Sequence, residues 1–443
     1  MPVILEANTA AIPNSGDCGS ICANGMMLAQ GAPSVTLIIS KGVRIMSIKG
    51  PFPYSDAAAQ LYLGENVSLG QATPEAFPIY QTSSYTFPDL KSSLEARKEK
   101  GFVYGRTNHP NYVSLSELIT HMEKSEDAWV VSSGMFSIFV SILTCVKGGE
   151  HVVCNKNLYG ETHDILKKLL PEYGIEATFA DFTDPAAIRA AVRPNTKLFY
   201  CEVIANPMTA LADIGMVADL AHAAGCKLLV DNTFSSPYVI RPLEHGADIV
   251  INSLTKYING HFDMIGGAIA STREFIDVVK YRSKIFGGCL APFACWLALR
   301  GARTFDLRLE RQNRNAVALA RALEENPMVE RVFHPSLDSH PQAELARKMF
   351  RPDACGAMLS FNLNDDIDRT DRFLGKLKMV GHASTLGGFR TTVAHPASAS
   401  HKELNPEEKA TMFIHQGTIR VSVGMEPIDD IVRDFSDAIE ASK

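Results

Sequence analysis

The stretch that decides the fold runs from His245 to Gly267 and reads HGADIVINSLTKYINGHFDMIGG. Its segment Asp248–Asn252 is a short apolar run rich in β-branched residues, which is typical of a buried strand. Lys256 closely follows this predicted strand, and the hydroxyl residues Ser253 and Thr255 precede it. Because a buried ammonium group is costly, a lysine at the end of a central strand must be paired or used chemically.

A lysine with two neighbouring hydroxyl groups suits one kind of ligand in particular. A buried lysine amine can lose its proton and form a Schiff base with an aldehyde. The hydroxyls of Ser253 and Thr255 are good ligands for a phosphate. Together they suggest pyridoxal phosphate (PLP), an aldehyde that carries a phosphate. A lysine in so short a motif is more often a solvated surface residue, so other parts of the chain must support this interpretation.

The composition is that of an ordinary globular protein. The chain has 443 residues, 46% of them hydrophobic and 21% charged, which is enough for a large core and two domains. The net charge of −6 and the absence of a basic cluster argue against nucleic acid or membrane lipid as a partner. No run of about twenty apolar residues predicts a membrane span.

The cysteines indicate a compartment and exclude a class of site. There are nine, scattered along the chain, and the close pair Cys18 and Cys22 has no second pair or histidine cluster to complete a metal site. We therefore predict no metal, reduced thiols and a cytoplasmic protein.

The chain is predicted to have four segments. Residues 1–50, poor in charge and rich in small residues, are expected to be a poorly ordered extension. Alternatively, the chain has an upstream start and Met46 is the functional beginning. Residues 51–110 form an N-terminal arm, residues 111–300 an α/β domain and residues 301–443 a C-terminal α+β domain.

Strands and helices alternate through the third segment, residues 111–300. The predicted strands are Ala128–Val131, His151–Cys154, Thr178–Ala180, Leu198–Ile204, Lys227–Val230 and Asp248–Asn252. The predicted helices are the stripe Leu115, Leu118, Ile119 and Met122, then Phe136–Cys145, Tyr159–Leu170, Asp184–Ala191 and Met216–Ala224. This alternation predicts a mostly parallel sheet covered by helices on both faces, with ligands at the carboxyl ends of the strands.

The pattern changes after about Phe275. A largely helical region, Pro292–Glu325, is predicted first. A smaller α+β region follows, with strands at Ala357–Asn362 and Ile419–Ser422 and helices at Asp368–Lys376 and Glu407–Met412.

Polar or aromatic side chains follow five of the predicted strands. They are Ser133 with Gly134, Tyr159, Asn206, Asp231, and the group Ser253, Thr255 and Lys256. Each has an ordinary structural explanation: Ser133 as a helix N-cap, Tyr159 as a core aromatic, Asn206 and Asp231 as turn formers. Five together favour a site at this edge. A separate loop holds Tyr104 and Arg106, which could bind phosphate or could simply be solvated.

Eight motifs, in this order, resemble those of the Cys/Met-metabolism family of PLP enzymes of fold type I. This family includes cystathionine γ-synthase, cystathionine γ-lyase, methionine γ-lyase and the O-acylhomoserine sulfhydrylases. The motifs are YGRTNHP, SSGM, LYG, ANP, VDNTF, SLTKYINGH, TLGG with HPAS, and IRVSVG. The resemblance covers Pro78 to the C-terminus. It implies a mostly parallel seven-stranded sheet with helices on both faces, and a smaller C-terminal α+β domain.

The resemblance also implies roles for individual residues. Lys256 would hold PLP covalently and take the Cα proton of the substrate, Asp231 would pair with the ring nitrogen, and Tyr159 would stack on the ring and act as acid or base. The residues that would cradle the phosphate are Ser133, Gly134, Met135, Ser253 and Thr255. Those that would bind the substrate, Asn206 contacting the cofactor as well, are Arg420, Thr385, Asn206 and Glu161.

An assembly of several subunits is implied in the same way. Tyr104 and Arg106 would reach the phosphate bound by a neighbouring subunit, so that a homodimer is the active unit and a homotetramer the assembly.

Some positions depart from the family's usual residues. Ser384 and Arg390 stand where glutamates are common, and Phe262 follows the Asn-Gly-His motif. Glu161 follows Tyr159-Gly160, where methionine γ-lyases commonly have cysteine. Its charge could recognise an amine or repel a second carboxylate. We interpret His261 as structural.

The predicted function is PLP-dependent γ-elimination on a small sulfur amino acid such as cystathionine or methionine, that is, a carbon–sulfur lyase. One alternative is γ-replacement on O-acetyl- or O-succinylhomoserine. Another is a catalytically silent homologue that only binds PLP. No motif distinguishes elimination from replacement.

Overall fold

The computed structural model describes residues 35–40, 43–48, 55–64, 67–68, 74–402 and 405–443. Most of the segment predicted to be a poorly ordered extension, with Cys18 and Cys22, lies outside these residues. In the described part, strands β1 (Val35–Ser40) and β2 (Val43–Ile48) pair antiparallel, and β2 also pairs with β3 (Val67–Ser68).

A central sheet of seven strands carries the site. In chain order the strands are β4 (Asp127–Val131), β5 (His151–Asn155), β6 (Glu176–Ala180), β7 (Thr196–Glu202), β8 (Lys227–Asp231), β9 (Ile249–Ser253) and β10 (Gly267–Ser271). Their spatial order is β4-β10-β9-β8-β7-β5-β6. The neighbouring strands β9, β8, β7, β5 and β6 pair in parallel, in that spatial order. β10 runs antiparallel to both β9 and β4. The predicted seven-stranded, mostly parallel sheet is confirmed.

The strand β10 is absent from our strand assignment. Its sequence, GAIAS, begins with the second of two consecutive glycines, Gly266 and Gly267, and contains one β-branched residue. Its strand propensity is therefore weak. The glycine at its start has a structural reason. A Cβ on Gly267 would lie 2.2 Å from the main-chain oxygen of Ser133, so only glycine allows β10 to pass beneath that turn.

Helices cover both faces of this sheet, as predicted. The helices of this part, in chain order after the arm, are α3 (Pro110–Glu123), α4 (Gly134–Cys145), α5 (Gly160–Asp164), α6 (Pro185–Ala191), α7 (Ile214–Ala223), α8 (Ser236–Val239) and α9 (Arg273–Phe286). The arm itself has α1 (Asp56–Tyr62), which packs against α3, and α2 (Leu90–Lys98), which has no buried residue. The apolar stripe of α3 is buried, and Ser133, Asp184, Asp213 and Thr272 cap the first turns of α4, α6, α7 and α9.

The helix expected over Tyr159–Leu170 is less regular than predicted. The α-helical part, α5, ends at Asp164 and continues as a π-helical segment, Ile165–Leu169, and a 3-10 turn, Leu170–Tyr173. A further 3-10 turn, Pro242–His245, precedes β9.

The C-terminal region contains a second sheet packed with helices. Its helices are α10 (Pro292–Ala302), α11 (Phe305–Glu324), α12 (Ala343–Met349), α13 (Ile367–Lys376), α14 (Pro406–Thr411) and α15 (Ile428–Glu440), with a 3-10 turn at Pro396–Ser398. Its strands are β11 (Arg331–Phe333), β12 (Met358–Asn362), β13 (Gly381–His382), β14 (Thr392–Ala394) and β15 (Thr418–Ser422). The spatial order is β11-β12-β15-β14-β13. The helical region predicted over Pro292–Glu325 is two helices, separated at Arg303–Thr304.

The cysteines of the described residues are free thiols. They are Cys145, Cys154, Cys201, Cys226, Cys289, Cys295 and Cys355. Burial raises the pKa of every one of these thiols. In the same part of the chain, no helix has both the length and the apolar character that a membrane crossing requires.

Candidate active site

Lys256 lies in a tight turn that follows β9. Its N–H donates to the Ser253 carbonyl at 3.1 Å, and its own carbonyl accepts from the Gly260 N–H at 2.7 Å. Burial lowers the pKa of the Lys256 amine, and the positive charge of Arg420 lowers it further, whereas Glu161 raises it. The predicted nucleophilic amine is therefore biased toward its neutral form, and it shares its surroundings with Arg420 and Glu161.

Asp231 ends β8, and Glu202 ends the neighbouring β7 directly beside it in register. Asp231 Oδ1 accepts a hydrogen bond from the Thr233 N–H at 2.8 Å. Burial raises the pKa of both carboxyl groups, and the charge of Asp231 raises that of Glu202 further. A cationic group next to Asp231 would offset this effect, which suits a carboxylate that faces a protonated ring nitrogen.

Glu202 is a site residue that the sequence analysis missed. Its Oε1 accepts from the Tyr159 N–H at 2.6 Å, and its Oε2 accepts from the Asn206 N–H at 3.2 Å. The side chain is almost fully buried. It therefore fixes the main chain at two predicted site residues. The available signal was a single acid within the apolar run LFYCEVI, since acidic residues are rarely buried without a purpose.

The turn between β4 and α4 forms a cradle next to Ser253. Ser133 Oγ accepts from the Phe136 N–H at 3.0 Å and so caps α4, as its structural interpretation predicted. A Cβ on Gly134 would lie 2.9 Å from Ser253 Cβ and 3.0 Å from Ser253 Oγ, so this approach requires glycine. The cradle thus combines the N-terminus of a 12-residue helix, Gly134–Cys145, with a hydroxyl. These are donors that suit a phosphate.

Thr255 and Met135 are placed less directly. The Thr255 hydroxyl accepts from the Gly266 N–H at 3.1 Å and contacts the Gly266 carbonyl at 3.3 Å, so the main chain already holds it. Met135 is the second residue of α4. Its main-chain N–H belongs to the first turn, whose amides have no partner within the helix.

Arg420 lies in β15 and is the one residue of this cluster from the C-terminal sheet. Its Nη1 donates to Asn206 Oδ1 and its Nη2 to the Thr385 carbonyl, both at 3.2 Å. Its Nε is buried without a partner, and no carboxylate of the described residues forms an ion pair with it. Burial lowers the pKa of Arg420 to about 10, so the guanidinium stays charged near neutral pH. A buried cation with free donors suits a carboxylate ligand.

Tyr159 precedes α5 and is half-buried. Burial raises the pKa of its hydroxyl, and a hydrogen bond with Glu161 raises it further. Glu161 is exposed in the first turn of α5. The structure therefore brings Tyr159, Glu161, Lys256 and Arg420 within electrostatic influence of one another.

Tyr104 and Arg106 lie outside this cluster. Tyr104 is exposed, and the Arg106 guanidinium lies 5.3 Å from its ring centroid. Arg106 Nη1 donates to the Lys284 carbonyl in α9 at 2.7 Å. Within one chain Arg106 therefore contacts α9, and none of the hydrogen bonds of the described residues connects either side chain with Lys256. Their reach to a neighbouring subunit stays a prediction.

The sheet, its layers of helices and the strand-end lysine define a PLP-dependent enzyme of fold type I. The profile of the Cys/Met metabolism PLP-dependent enzymes matches residues 59–440. The chain belongs to this family.

Individual relatives agree with that assignment. An L-methionine gamma-lyase from Porphyromonas gingivalis is 40% identical over 372 residues, covering 83% of this chain and 92% of the relative. An O-succinylhomoserine sulfhydrylase from Pseudomonas aeruginosa is 38% identical over 365 residues, covering 82% and 90%.

A solved structure connects the fold with the cofactor. A Campylobacter jejuni protein assigned as an O-acetylhomoserine (thiol)-lyase superposes with a TM-score of 0.82 at 27% identity, covering 87% of this chain and all of that one. It contains an N'-pyridoxyl-lysine-5'-monophosphate. PLP is therefore the cofactor of this family. The groups described above fit it: a glycine-lined helix N-terminus, a strand-end carboxylate and a lysine of lowered pKa.

Proposed function

We propose that this chain catalyses γ-elimination on a sulfur amino acid such as cystathionine or methionine, as a carbon–sulfur lyase. The observation that supports it most is the buried, carboxylate-free guanidinium of Arg420 in electrostatic reach of Lys256 and Tyr159. The 40% identity to a methionine gamma-lyase supports elimination as the outcome.

Different residues of the chain would bind the cofactor and the substrate. Lys256 Nζ would hold PLP covalently, Asp231 would face its ring nitrogen, and the Gly134 turn with Ser253 would hold its phosphate. Tyr159 would lie over the ring. Arg420 would bind the substrate carboxylate, with Asn206 and the Thr385 carbonyl keeping the guanidinium in place.

γ-Elimination requires removal of a proton from Cα and then one from Cβ. When bound, PLP supplies the electron sink for the negative charge that develops at these carbons. Lys256 Nζ would accept the Cα proton, since burial and the charge of Arg420 lower its pKa, and it must release that proton before it can accept the one from Cβ. Tyr159 keeps its hydroxyl proton because burial raises its pKa, so it could donate to the departing sulfur.

Glu161 is placed to distinguish substrates by the charge of their distal group. Its carboxylate hydrogen-bonds with Tyr159 and raises the pKa of Lys256, so it stands close to the reacting groups. We propose that it recognises a distal amine or repels a second carboxylate. Glu161→Gln should change the ratio of kcat/KM between substrates with and without such a group, and an unchanged ratio would count against this role.

γ-Replacement on O-acetyl- or O-succinylhomoserine is the second candidate, and the sulfhydrylase relative supports it. The deciding experiment incubates the purified protein with cystathionine, methionine, cysteine and both O-acylhomoserines, with and without a thiol. We expect a keto acid from a sulfur amino acid without added thiol. An amino-acid product that appears only with O-acylhomoserine and thiol would favour replacement.

A silent homologue would give no product, yet would still be yellow from bound PLP. Reduction with borohydride and peptide mapping should place the cofactor on Lys256, and Lys256→Ala should lose the colour. Label on another lysine would overturn the site assignment independently of the substrate.

We also propose a homodimer as the active unit, a homotetramer as the assembly and a cytoplasmic location. Large apolar side chains stand exposed along the arm and α9, where a partner could cover them: Leu90, Leu94, Tyr104, Val278, Tyr281, Ile285 and Phe286. The free thiols of the described residues suit a reducing compartment.

A further inference from the structure

Helix α11 carries a row of three buried polar side chains that the proposed chemistry does not use. Arg308, Gln312 and Asn315 are spaced four and three residues apart, so they lie on one face of the helix. All three are nearly or fully buried. We call them the α11 row. All of their hydrogen bonds to the main chain end on carbonyl groups.

Arg308 holds the main chain just after Lys256. Its Nη1 donates to the Tyr257 carbonyl at 2.8 Å, and its Nη2 donates to the Ile258 carbonyl at 3.1 Å and to the Gly301 carbonyl at 3.0 Å. No carboxylate of the described residues pairs with this guanidinium, so the carbonyl dipoles are what stabilise its charge.

The turn after Lys256 leaves room for the Arg308 guanidinium because residue 260 is a glycine. Gly260 has a φ of +70°, and a Cβ there would lie 2.0 Å from Arg308 Nη1. A side chain at this position would therefore expel the guanidinium as well as strain the backbone. The conformation of the Lys256 turn and the position of Arg308 depend on each other.

Gln312 and Asn315 hold the substrate side of the site in the same way. Gln312 Nε2 donates to the Gly388 carbonyl at 2.7 Å and to the Val423 carbonyl at 3.0 Å. Asn315 Nδ2 donates to the carbonyls of Gly424 at 3.0 Å and Glu426 at 2.9 Å. Gly388 belongs to the loop between β13 and β14, which contains Thr385, and Val423 directly follows β15, which carries Arg420.

The segments held by the row also contact one another directly. The Phe389 N–H donates to the Gly260 carbonyl at 3.1 Å. A Cβ on Gly387 would lie 2.6 Å from the Tyr257 nitrogen, so the two loops are in close main-chain contact. One helix therefore fixes the Lys256 turn, the Thr385 loop and the end of β15 in a single arrangement.

We propose that the α11 row is a positioning device that sets Lys256 against Arg420, and that Arg308 is its most important member. Arg308 touches neither substrate nor cofactor in this role. It acts through the main chain of Tyr257 and Ile258, which directs Lys256 Nζ toward the carbon that Arg420 places. This inference rests on the proposed roles of Lys256 and Arg420.

The test compares Arg308→Met and Arg308→Lys with Arg303→Met. Arg303 is a matched control, because its guanidinium also donates to main-chain carbonyls, those of Gln60 and Leu63, which are remote from Lys256. In Arg308→Met we expect kcat to fall about 100-fold, since a misplacement of about 1 Å in a reacting group costs that much. The KM should change far less, and Arg308→Lys should recover part of kcat.

A second pair of variants covers the case in which Arg308→Met fails to fold. Gln312→Met should lower kcat, while Asn313→Leu should not, because Asn313 lies on the same helix but binds the distant segment at Asp353 and Cys355. The absorption band of bound PLP and its dissociation constant should change in the Arg308 and Gln312 variants only. Both quantities are measured without substrate.

The outcomes separate the two proposals. If borohydride does not label Lys256 in the wild-type protein, the proposed site is wrong and the row has another purpose. If Lys256 is labelled, but Arg308→Lys and Gln312→Met match Arg303→Met and Asn313→Leu in kcat, absorption band and PLP affinity, the positioning role is overturned. That result would leave the row as a fold-stabilising contact.

Discussion

Arg420 shows how one side chain can serve both binding and acid–base chemistry. Its donors fit a carboxylate, and its charge is the second cause, after burial, of the lowered pKa of Lys256. A lysine in its place would keep the charge and lose the planar fork, whereas glutamine would lose the charge. The two substitutions therefore separate the two functions.

We expect both Arg420→Lys and Arg420→Gln to lower kcat/KM by about 10- to 100-fold, the value of a charge-assisted hydrogen bond. Only Arg420→Gln should move the ascending limb of the pH profile of kcat to higher pH. Removal of a positive charge raises the pKa of the Lys256 amine, so the neutral base appears at higher pH. Steady-state kinetics from pH 6 to pH 10 would measure both.

A matched control for these variants is Arg351→Lys. Arg351 stacks over Tyr238 at 4.1 Å, away from the Lys256 cluster. It should leave kcat/KM unchanged. Identical pH profiles in Arg420→Lys and Arg420→Gln would show that the charge of Arg420 does not tune Lys256.

Ser133 and Glu202 show which site residues the sequence can predict and which it cannot. Ser133 was expected either to cap a helix or to bind phosphate, and its hydroxyl in fact caps α4, whose amides form the proposed cradle. Glu202 was missed because its partners, the N–H groups of Tyr159 and Asn206, come from separate segments of the chain. Main-chain contacts of this kind leave no motif in the sequence.

At the scale of elements, α3 is tied to the central sheet by a buried carboxyl group. Glu123, its last residue, is fully buried and accepts from Asn232 Nδ2 at 3.1 Å and Asn252 Nδ2 at 2.6 Å. Asn232 follows Asp231, and Asn252 precedes Ser253. Burial raises the pKa of Glu123 to about 7, while the two amides lower it. This contact connects helix packing with the strand ends of the site.

Glu123 should make stability depend on pH in a defined window. Its folded pKa of about 7 lies above the unfolded value of about 4.5, so its stabilising contribution is complete below about pH 4.5 and is lost as the pH rises to about 7. The loss is on the order of 3 kcal/mol. Glu123→Gln should remove this fall, because the amide oxygen can still accept from Asn232 or Asn252 without ionising.

The measurement is the free energy of unfolding in urea, from pH 4.5 to pH 8, for both proteins. Glu172→Gln, at an exposed position, is the control and should follow the wild type. Parallel curves for wild type and Glu123→Gln would contradict the assignment of a raised pKa.

The elements also show which parts of the fold the sequence could predict. Long apolar runs followed by turns located six of the seven central strands, because parallel strands are buried on both faces. β10 was not found because Gly267 and two alanines give little strand propensity, and its place between β9 and β4 depends on tertiary pairing. The transition from the α-helix α5 to a π-helical segment at Ile165 has no signal in the local sequence either.

At the scale of the whole molecule, the proposed dimer can be tested by mixing two defective variants. If each site combines Lys256 of one subunit with Arg106 of its neighbour, Lys256→Ala and Arg106→Ala can together form one intact site per mixed dimer. Random exchange of subunits should then restore about a quarter of wild-type activity. Activity would be measured before and after mild dissociation and reassociation of the mixture.

The controls for this experiment are the same treatment of each variant alone, and of Lys256→Ala mixed with Lys256→Gln. Neither should recover activity. Absence of recovery in the main mixture, with subunit exchange demonstrated by mass, would overturn the proposal that each site is shared between two subunits.

The unreactive thiols have a practical consequence for an enzyme whose proposed product is itself a sulfhydryl compound. Disulfide exchange requires a thiolate, and the raised pKa values of the seven cysteines keep them protonated. The folded protein should resist mixed-disulfide formation with oxidised product. A chromogenic disulfide dye added during turnover should therefore follow the released sulfhydryl in real time, over a low background from the seven described cysteines.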